Sequence, residues 1–587
     1  MGDKSTKEIL ESVLDEKRKE GNSLYNPKAL EVIQQSFEKW KNTVVSEKDR
    51  ENWEMTPHTI IGSNIPRGLI YTPLDIADLD YEVDLGYSEG EPYTRGIHSN
   101  MYRGQTWTQR QLSGAGSPEY VNNRIKFLLD HGATGTNLAL DLATVQMFDS
   151  DEPEADGMVA TVGVPIDCVQ DFESIYKDIP IDKVSSSIVT HYPRNTSIIF
   201  PMYLVMAEKR GYGWDKLPGS VQNDFIMENV VRSACEWIPP KDDFRVQCDN
   251  IEFLRNEVPK WNYVTLNGYN LREEGTSGVT EMAVALANGI AIMDDMLRRG
   301  YDPDWTAKRM AFFWAPANDF FEEVARIRAA RRLWYRIMKY KYQAKDPRSC
   351  WMRCHVQTSG ISLQRVEPFV NIVRAAYHAL AAILGGAQSL HVDGYDEAYS
   401  VPGEESSLLG LRTQQLINAE TQVTQVVDPL GGSFYVEALT DDIERRILDE
   451  IDEVEKLGGL PEAVAKGWLH HKVISYLLEE ERMIEDGRIK VVARNYFRDP
   501  NVKEPPVVTQ PYDSKIRDQM VDKLKKWRKE RDNDKVKGCL EDIVRAGKEG
   551  KNITYYTVEA ARAGATEGEM RRAFTESFGT WRPPVYA

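Results

Sequence analysis

Apolar residues along this chain follow two alternating rhythms. Between residues 60 and 430, short runs rich in branched and aromatic side chains are separated by longer stretches with helical spacing. Residues 135–140, 184–189, 263–266, 310–314, 351–357 and 387–392 read as strands, bounded by glycine, proline and small polar residues. Residues 280–299 and 320–339 carry apolar positions every three to four residues and read as helices. This repeated β-α alternation predicts an α/β fold with a parallel sheet, most simply closed into a (β/α)8 TIM barrel. Outside the barrel, residues 1–58 place Ile9, Leu10 and Val13, then Leu30, Ile33 and Phe37, at helical spacing in a charged background. They read as an N-terminal helical arm at the surface or at a dimer contact. After the barrel, Thr440 or Asp441 is expected to cap a helix through Ile443, Ile447, Leu448, Ile451 and Val454, which stops at Gly458-Gly459. Pro500, Pro505, Pro506 and Pro511 mark a linker, and residues 513–538 read as one charged helix. The expected division is therefore an arm (1–58), a barrel with following helices (59–499), and a linker with a C-terminal helical extension (500–587).

Several of the strand segments are unusually polar. A barrel interior is normally filled by Val, Ile and Leu. Here Thr136 and Asn137, Ser185, Ser186 and Ser187, and Thr265 and Asn267 stand in or beside predicted strands. Inward-facing hydroxyls cost free energy unless something bonds them. Either a polar ligand runs along the barrel axis, or these residues face the helices and strand ends.

Composition narrows the function. Hydrophobic residues make up 41% of the 587 residues and charged residues 28%, with a formal net charge of −18. That balance is ordinary for a globular protein and disfavours non-specific binding to nucleic acid or anionic membrane. No apolar run is long enough for a transmembrane helix, and the charged N-terminus lacks the apolar core of a secretory signal. Six scattered cysteines fit reduced thiols and a cytoplasmic location. Cys350, Cys354 and His355 lie close together, but no second ligand pair follows, so no metal site is expected.

Residues 93–114, YTRGIHSNMYRGQTWTQRQLSG, show no apolar periodicity. They read as a loop for a polyanionic ligand: Arg103 and Arg110 with hydroxyls for phosphate, Tyr102 and Trp107 as flat faces. The segment also carries the signature MY-x4-WT-x-RQ-x-x-G, whose variable positions include Leu112. Further blocks follow in order: DLATVQMFDSDEP (141–153), DKVSSSI (182–188), GSVQNDFIMENVVR (219–232) and PKWNYVTLNGYNLREEG (259–275). Then come MRCHVQTSG (352–360), QSLHVDGYDEA (388–398) and DPLGGSFYVE (428–437). Over residues 60–500 the chain resembles the adenosylcobalamin-dependent acyl-CoA mutases, the methylmalonyl-CoA mutase family.

The resemblance implies a barrel threaded by the pantetheine of coenzyme A and capped by cobalamin. There, cobalt–carbon homolysis starts a radical rearrangement in which the thioester-bearing carbon migrates. By motif position, Met101, Thr108, Arg110, Ser187, Gln222 and Asn262 correspond to substrate or CoA contacts. So do Arg309, His355, Gln357, Gln388 and Ser389, with His98 and Arg103 in the opening segment. Glu397 matches the carboxylate that binds the deoxyadenosyl ribose, and Asp393 stands where that site usually has Asn. Arg232 occupies the position that pairs with a free substrate carboxylate; members acting on monocarboxylic acyl groups usually carry Gln there. Leu112 replaces the tyrosine that packs against the migrating group, and Asn270 replaces a histidine expected to hydrogen-bond the thioester carbonyl. His98 and Gln105 stand where tyrosine and arginine are usual. Arginine kept with tyrosine lost fits an alkyl- or arylmalonyl-CoA/succinyl-CoA pair rather than methylmalonyl-CoA. The alternatives are an isobutyryl- or hydroxyisobutyryl-type mutase, whose members have an aliphatic residue at position 112, and an inactive CoA-binding subunit. None of the nine histidines fits the cobalt-ligating DxHxxG motif. The expectation is a large subunit with a separate small cobalamin-binding subunit in an α2β2 assembly. The closing GTWRPPVYA resembles the tail of such large subunits.

Overall fold

The computed structural model describes residues 4–20, 23–55, 62–114, 116–231, 238–399, 402–502 and 513–582. Arg232, the residue expected to hold a substrate carboxylate, lies outside the described residues, as does most of the proline-rich stretch after Pro500.

Two five-stranded parallel sheets form the centre. In chain order their strands are β1 (Thr108–Arg110), β2 (Leu112–Ser113), β3 (Gly135–Leu138), β4 (Ser185–Ile188) and β5 (Gly219–Val221). They continue as β6 (Trp261–Asn262), β7 (Val264–Asn267), β8 (Met310–Trp314), β9 (Arg353–Gln357) and β10 (Ser389–His391). One sheet runs β1-β10-β9-β8-β7 and the other β2-β3-β4-β5-β6. Only Gln111 separates β1 from β2, and only Tyr263 separates β6 from β7. Each pair is thus one strand with a break, and the ten segments make eight strands around a (β/α)8 barrel. Few hydrogen bonds cross the breaks: Thr134 N–H donates to Gln109 O at 3.1 Å, and Thr265 N–H to Gln222 O at 2.8 Å.

Most expected strands are present with shorter ends, and Met310–Trp314 has the expected bounds. The segment read as a loop, 93–114, is corrected in its second half. Residues 108–113 form the first barrel strand, and Arg110 is buried within it. Thr108 and Arg110 face the cavity while Gln109, Gln111 and Ser113 face away, so both faces are polar and the usual apolar alternation is missing. Gly219–Val221 also escaped the pattern, being only three residues long. The helix before Gly458 runs over Phe434–Lys456, capped by Ser433 rather than by Thr440 or Asp441. Thr440 is buried inside it, and Val436 and Leu439 extend the apolar stripe upstream. Its stop is as expected: Gly458 and Gly459 have φ of 106° and 91°. The charged helix expected over 513–538 is two helices, Ser514–Glu530 and Asn533–Lys548, because Asp532 caps the second.

Helix Phe320–Arg336, outside β8, is tied to its surroundings by buried ion pairs. Arg326 meets Glu281 and Glu323, Arg328 meets Asp428 and Glu437, and Arg332 meets Asp441 and Glu444. Arg336 meets Asp84 and Glu444. The C-terminal helices Thr554–Ala563 and Glu567–Phe578 pack on Pro193–Lys209. Arg528 and Lys523 tie helix Ser514–Glu530 to Asp149 and Asp171. At the other terminus, Thr6–Glu20 seats Leu10 in the core, whereas Pro27–Thr43 buries no residue. No helix among the described residues is long and apolar enough to cross a membrane.

Candidate active site

A cavity of about 430 Å³ runs along the barrel axis. Strand alternation decides which polar residues reach it. Ser185 and Ser187 line it, while Ser186 faces outward and is fully buried. Asn137 and Thr265 line it, and Thr136 does not. Both readings of the polar strands are therefore realised, one on each face.

The end nearest the strand N-termini is cationic. Arg353 opens β9 and lines the cavity; Arg309 sits one residue before β8. Burial, then the neighbouring Arg309 and Arg348, lower the Arg353 guanidinium to about 10. Burial and Arg255 lower Arg309. Arg353 and Arg348 lie over the Trp351 ring at 5.1 and 6.0 Å, and the exposed His98 meets the same ring edge-on at 5.2 Å. Deeper in, Arg110 donates to Thr136 O (2.7 Å), Ser185 O (3.1 Å), Ser185 Oγ (2.9 Å) and Ser389 Oγ (3.1 Å). Burial lowers it too, to about 10. Ser389 Oγ also bonds His355 Nδ1 at 2.9 Å, leaving the buried Nε2 of His355 without a protein partner. Burial and Arg110 push this imidazole well below its usual range, so it is neutral.

The opposite end gathers carboxyl groups. Tyr269 stacks on Phe313 with ring centres 4.4 Å apart, and its hydroxyl accepts from Gln357 Nε2 at 2.7 Å. The same nitrogen donates to Asp393 Oδ1 at 3.0 Å. Leu112 N–H donates to His391 Nδ1 at 3.2 Å, which places the imidazole hydrogen on Nε2, 3.1 Å from Asp393 Oδ1. Burial raises Asp393 to about 8. Burial and Asp393 raise Glu273 to about 8 and lift Glu397 well above its usual value. Between this cluster and the barrel wall, Leu112, Ala139, Leu140, Leu142, Val145, Val162 and Val189 form an apolar lobe of the cavity.

Comparison with known proteins places this architecture. The methylmalonyl-CoA mutase family model matches residues 61–580. The chain belongs to the methylmalonyl-CoA mutase family. It is 38% identical over 532 residues to the 2-hydroxyisobutanoyl-CoA mutase large subunit of Aquincola tertiaricarbonis, covering 90% of this chain and 93% of that one. It is 36% identical over 556 residues to methylmalonyl-CoA mutase of Cereibacter sphaeroides, covering 94% and 77%. Against the mitochondrial methylmalonyl-CoA mutase of Homo sapiens it is 33% identical over 569 residues, covering 96% and 74%. The chain is thus an isomerase of the acyl-CoA mutase type.

Within this mutase fold, the cavity brings together Thr108, Arg110, Leu112, Ser187, Gln222 and Asn262. Asn270, His355, Gln357, Gln388 and Ser389 also line it. Arg309 and His98 flank its cationic end, and Asp393 and Glu397 its acidic end. Two residues lie elsewhere. Met101 is buried against Gly96 and Gly386, and Arg103 is exposed outside the cavity. Arg353, Tyr269 and Glu273 escaped the sequence reading. Arg353, His355 and Gln357 alternate along β9, so the period of two could have found the first. Glu273 lies three residues after Asn270 on helix Tyr269–Glu273, one turn along the same side.

Proposed function

We propose that this chain is the substrate-binding large subunit of an adenosylcobalamin-dependent mutase. Its acyl-CoA substrate is a dicarboxylyl-CoA with an apolar substituent larger than methyl. The apolar lobe around Leu112 carries this reading. Seven apolar side chains there would cover an alkyl or aryl group, with only Asn137 and His191 as polar neighbours in the same part of the lining. The carboxylate specificity rests on Arg232 in the sequence. Arginines at the strand N-termini supply charge for the CoA phosphates, and the inward Ser, Thr and Asn side chains supply partners for pantetheine amides.

The cofactor end fits as well. Glu273, Asp393 and Glu397 are acceptors for ribose hydroxyls, and Asp393 Oδ2 is buried without a partner. When bound, adenosylcobalamin supplies the carbon radical that starts the rearrangement. The chain's own residues hold the acyl group, and the lobe excludes water from it. A separate cobalamin-binding small subunit is supported by the similarity, over 93% of its length, to a protein named as a large subunit. An α2β2 assembly follows as the simplest arrangement.

The alternative, a 2-hydroxyisobutanoyl-CoA mutase, is favoured by that same relative. Turnover of alkylmalonyl-, methylmalonyl- and 2-hydroxyisobutanoyl-CoA by the chain with adenosylcobalamin and a small subunit separates the readings. The alkylmalonyl ester is expected to react fastest; preference for the hydroxyacyl ester overturns the reading.

A further inference from the structure

Asn270 and Gln222 both line the cavity, and a side-chain amide can face a ligand with its oxygen or with its NH2 group. Neighbouring bonds decide which. The fixed point is the backbone N–H of Asn270, which can only donate. It donates to Asn267 Oδ1 at 3.0 Å. The other end of the Asn267 amide is therefore its NH2 group. One of its hydrogens goes to Asn270 Oδ1 at 2.8 Å, and the other to Gln222 Oε1 at 3.3 Å. With both oxygens engaged, the NH2 groups of Asn270 and Gln222 are the ends left to the cavity, and neither has a partner among the described residues.

Asn267 itself is held firmly. It is fully buried, at 0% exposure. Its backbone N–H donates to Asp224 Oδ2 at 2.7 Å. Asn288 Nδ2 (2.8 Å) and the Ile226 N–H (3.1 Å) bind the other oxygen of Asp224.

We propose that Asn267 is a positioning residue that sets the polarity of two cavity amides, Asn270 and Gln222. Both then present NH2 donors to one ligand group that can only accept. In the functional reading above, on which this identification rests, that group is the acyl carbonyl oxygen of the thioester. Asn270 stands on helix Tyr269–Glu273 and Gln222 directly after β5, so one buried amide coordinates two separate elements. The arrangement also answers the loss of a histidine at position 270: a neutral amide of fixed orientation polarises the carbonyl without a titrating group.

The test compares two CoA derivatives differing in one oxygen. Acetyl-CoA has the carbonyl and S-ethyl-CoA lacks it. Calorimetry with the full chain is expected to show about tenfold tighter binding of acetyl-CoA. In Asn267→Asp and Asn267→Ala that preference is expected to fall below about twofold, with S-ethyl-CoA affinity retained. Retention of the preference in either variant overturns the proposal. Parallel loss of both ligands makes Asn267 merely structural and also overturns it. Wild-type binding of both ligands without preference overturns the proposal but leaves the CoA-binding reading intact, whereas no binding of either overturns that reading. The wild type alone gives a second readout should both variants fail to fold. The infrared carbonyl band of bound [1-13C]acetyl-CoA is expected below its position in water, and a band at or above that position overturns the proposal.

Discussion

Two sets of arginines in this molecule, one fully buried and one lying buried or half-buried at the cavity, end in opposite states. On helix Phe320–Arg336, each of Arg326, Arg328, Arg332 and Arg336 meets two carboxylates. Burial works against the charge of Arg326, Arg328 and Arg332, yet their carboxylates hold all three above the ordinary arginine value. At the cavity, Arg110, Arg309 and Arg353 have no ion pair among the described residues, and burial lowers them. Arg110 meets only neutral acceptors. A protein can hide a guanidinium by completing it, or keep it incomplete for an anion that comes later. The first set fastens one layer of the barrel to the next; the second stays without a carboxylate at the cavity, as the proposed binding of an anionic ligand requires.

The comparison is broken most severely by Arg326→Met. It strands Glu281 and Glu323 in the interior and is expected to cost about 3–5 kcal/mol in urea unfolding. Arg353→Met should do the reverse, leaving the unfolding midpoint in place while weakening CoA by about 10–100-fold in calorimetry. If Arg353→Met destabilises as Arg326→Met does, the cavity arginines are structural after all. The acidic end extends the test with the sign inverted. Asp393 and Glu273, raised to about 8, keep a proton in the folded chain that the unfolded chain has released. Their contribution is complete below the ordinary carboxylate range and is lost as pH rises through about 8. The ligand-free melting temperature should therefore fall between about pH 5 and pH 9, and Asp393→Asn should flatten that slope and gain about 1–2 kcal/mol near pH 8. The smallest effect is salt. Going from about 0.05 to 0.5 M should weaken CoA several-fold and scarcely move the melting temperature, because the paired set is shielded from solvent.

The sequence disclosed the fold where inward and outward faces are both apolar. Met310–Trp314, reading MAFFW, is recognisable with its bounds. It concealed the fold where one face serves a ligand. In residues 108–113 the inward positions include Thr108 and Arg110, so the strand looks like a loop, although Trp107 is buried beside it. Part of the cavity lining was legible through family resemblance, in residues such as Asn270, His355 and Gln388, which the fold brings together. Resemblance did not reveal how that cavity is wired. Asn267 looked like one more polar strand residue, and Glu273 drew no reading of its own. Their roles depend on contacts that spacing does not encode: Asn267 with Gln222, and Glu273 with Ser359 at 2.9 Å.

The breaks at Gln111 and Tyr263 leave the eight strands as two separately laddered halves joined by few bonds. Such halves are natural units of local opening. Amide hydrogens in β3 to β5 should exchange as one block and those in β8 to β10 as another, with the slowest common rate set by whatever clamps both halves at once. A molecule lying along the axis touches both, so it would act on this barrel as a bolt acts on a split collar.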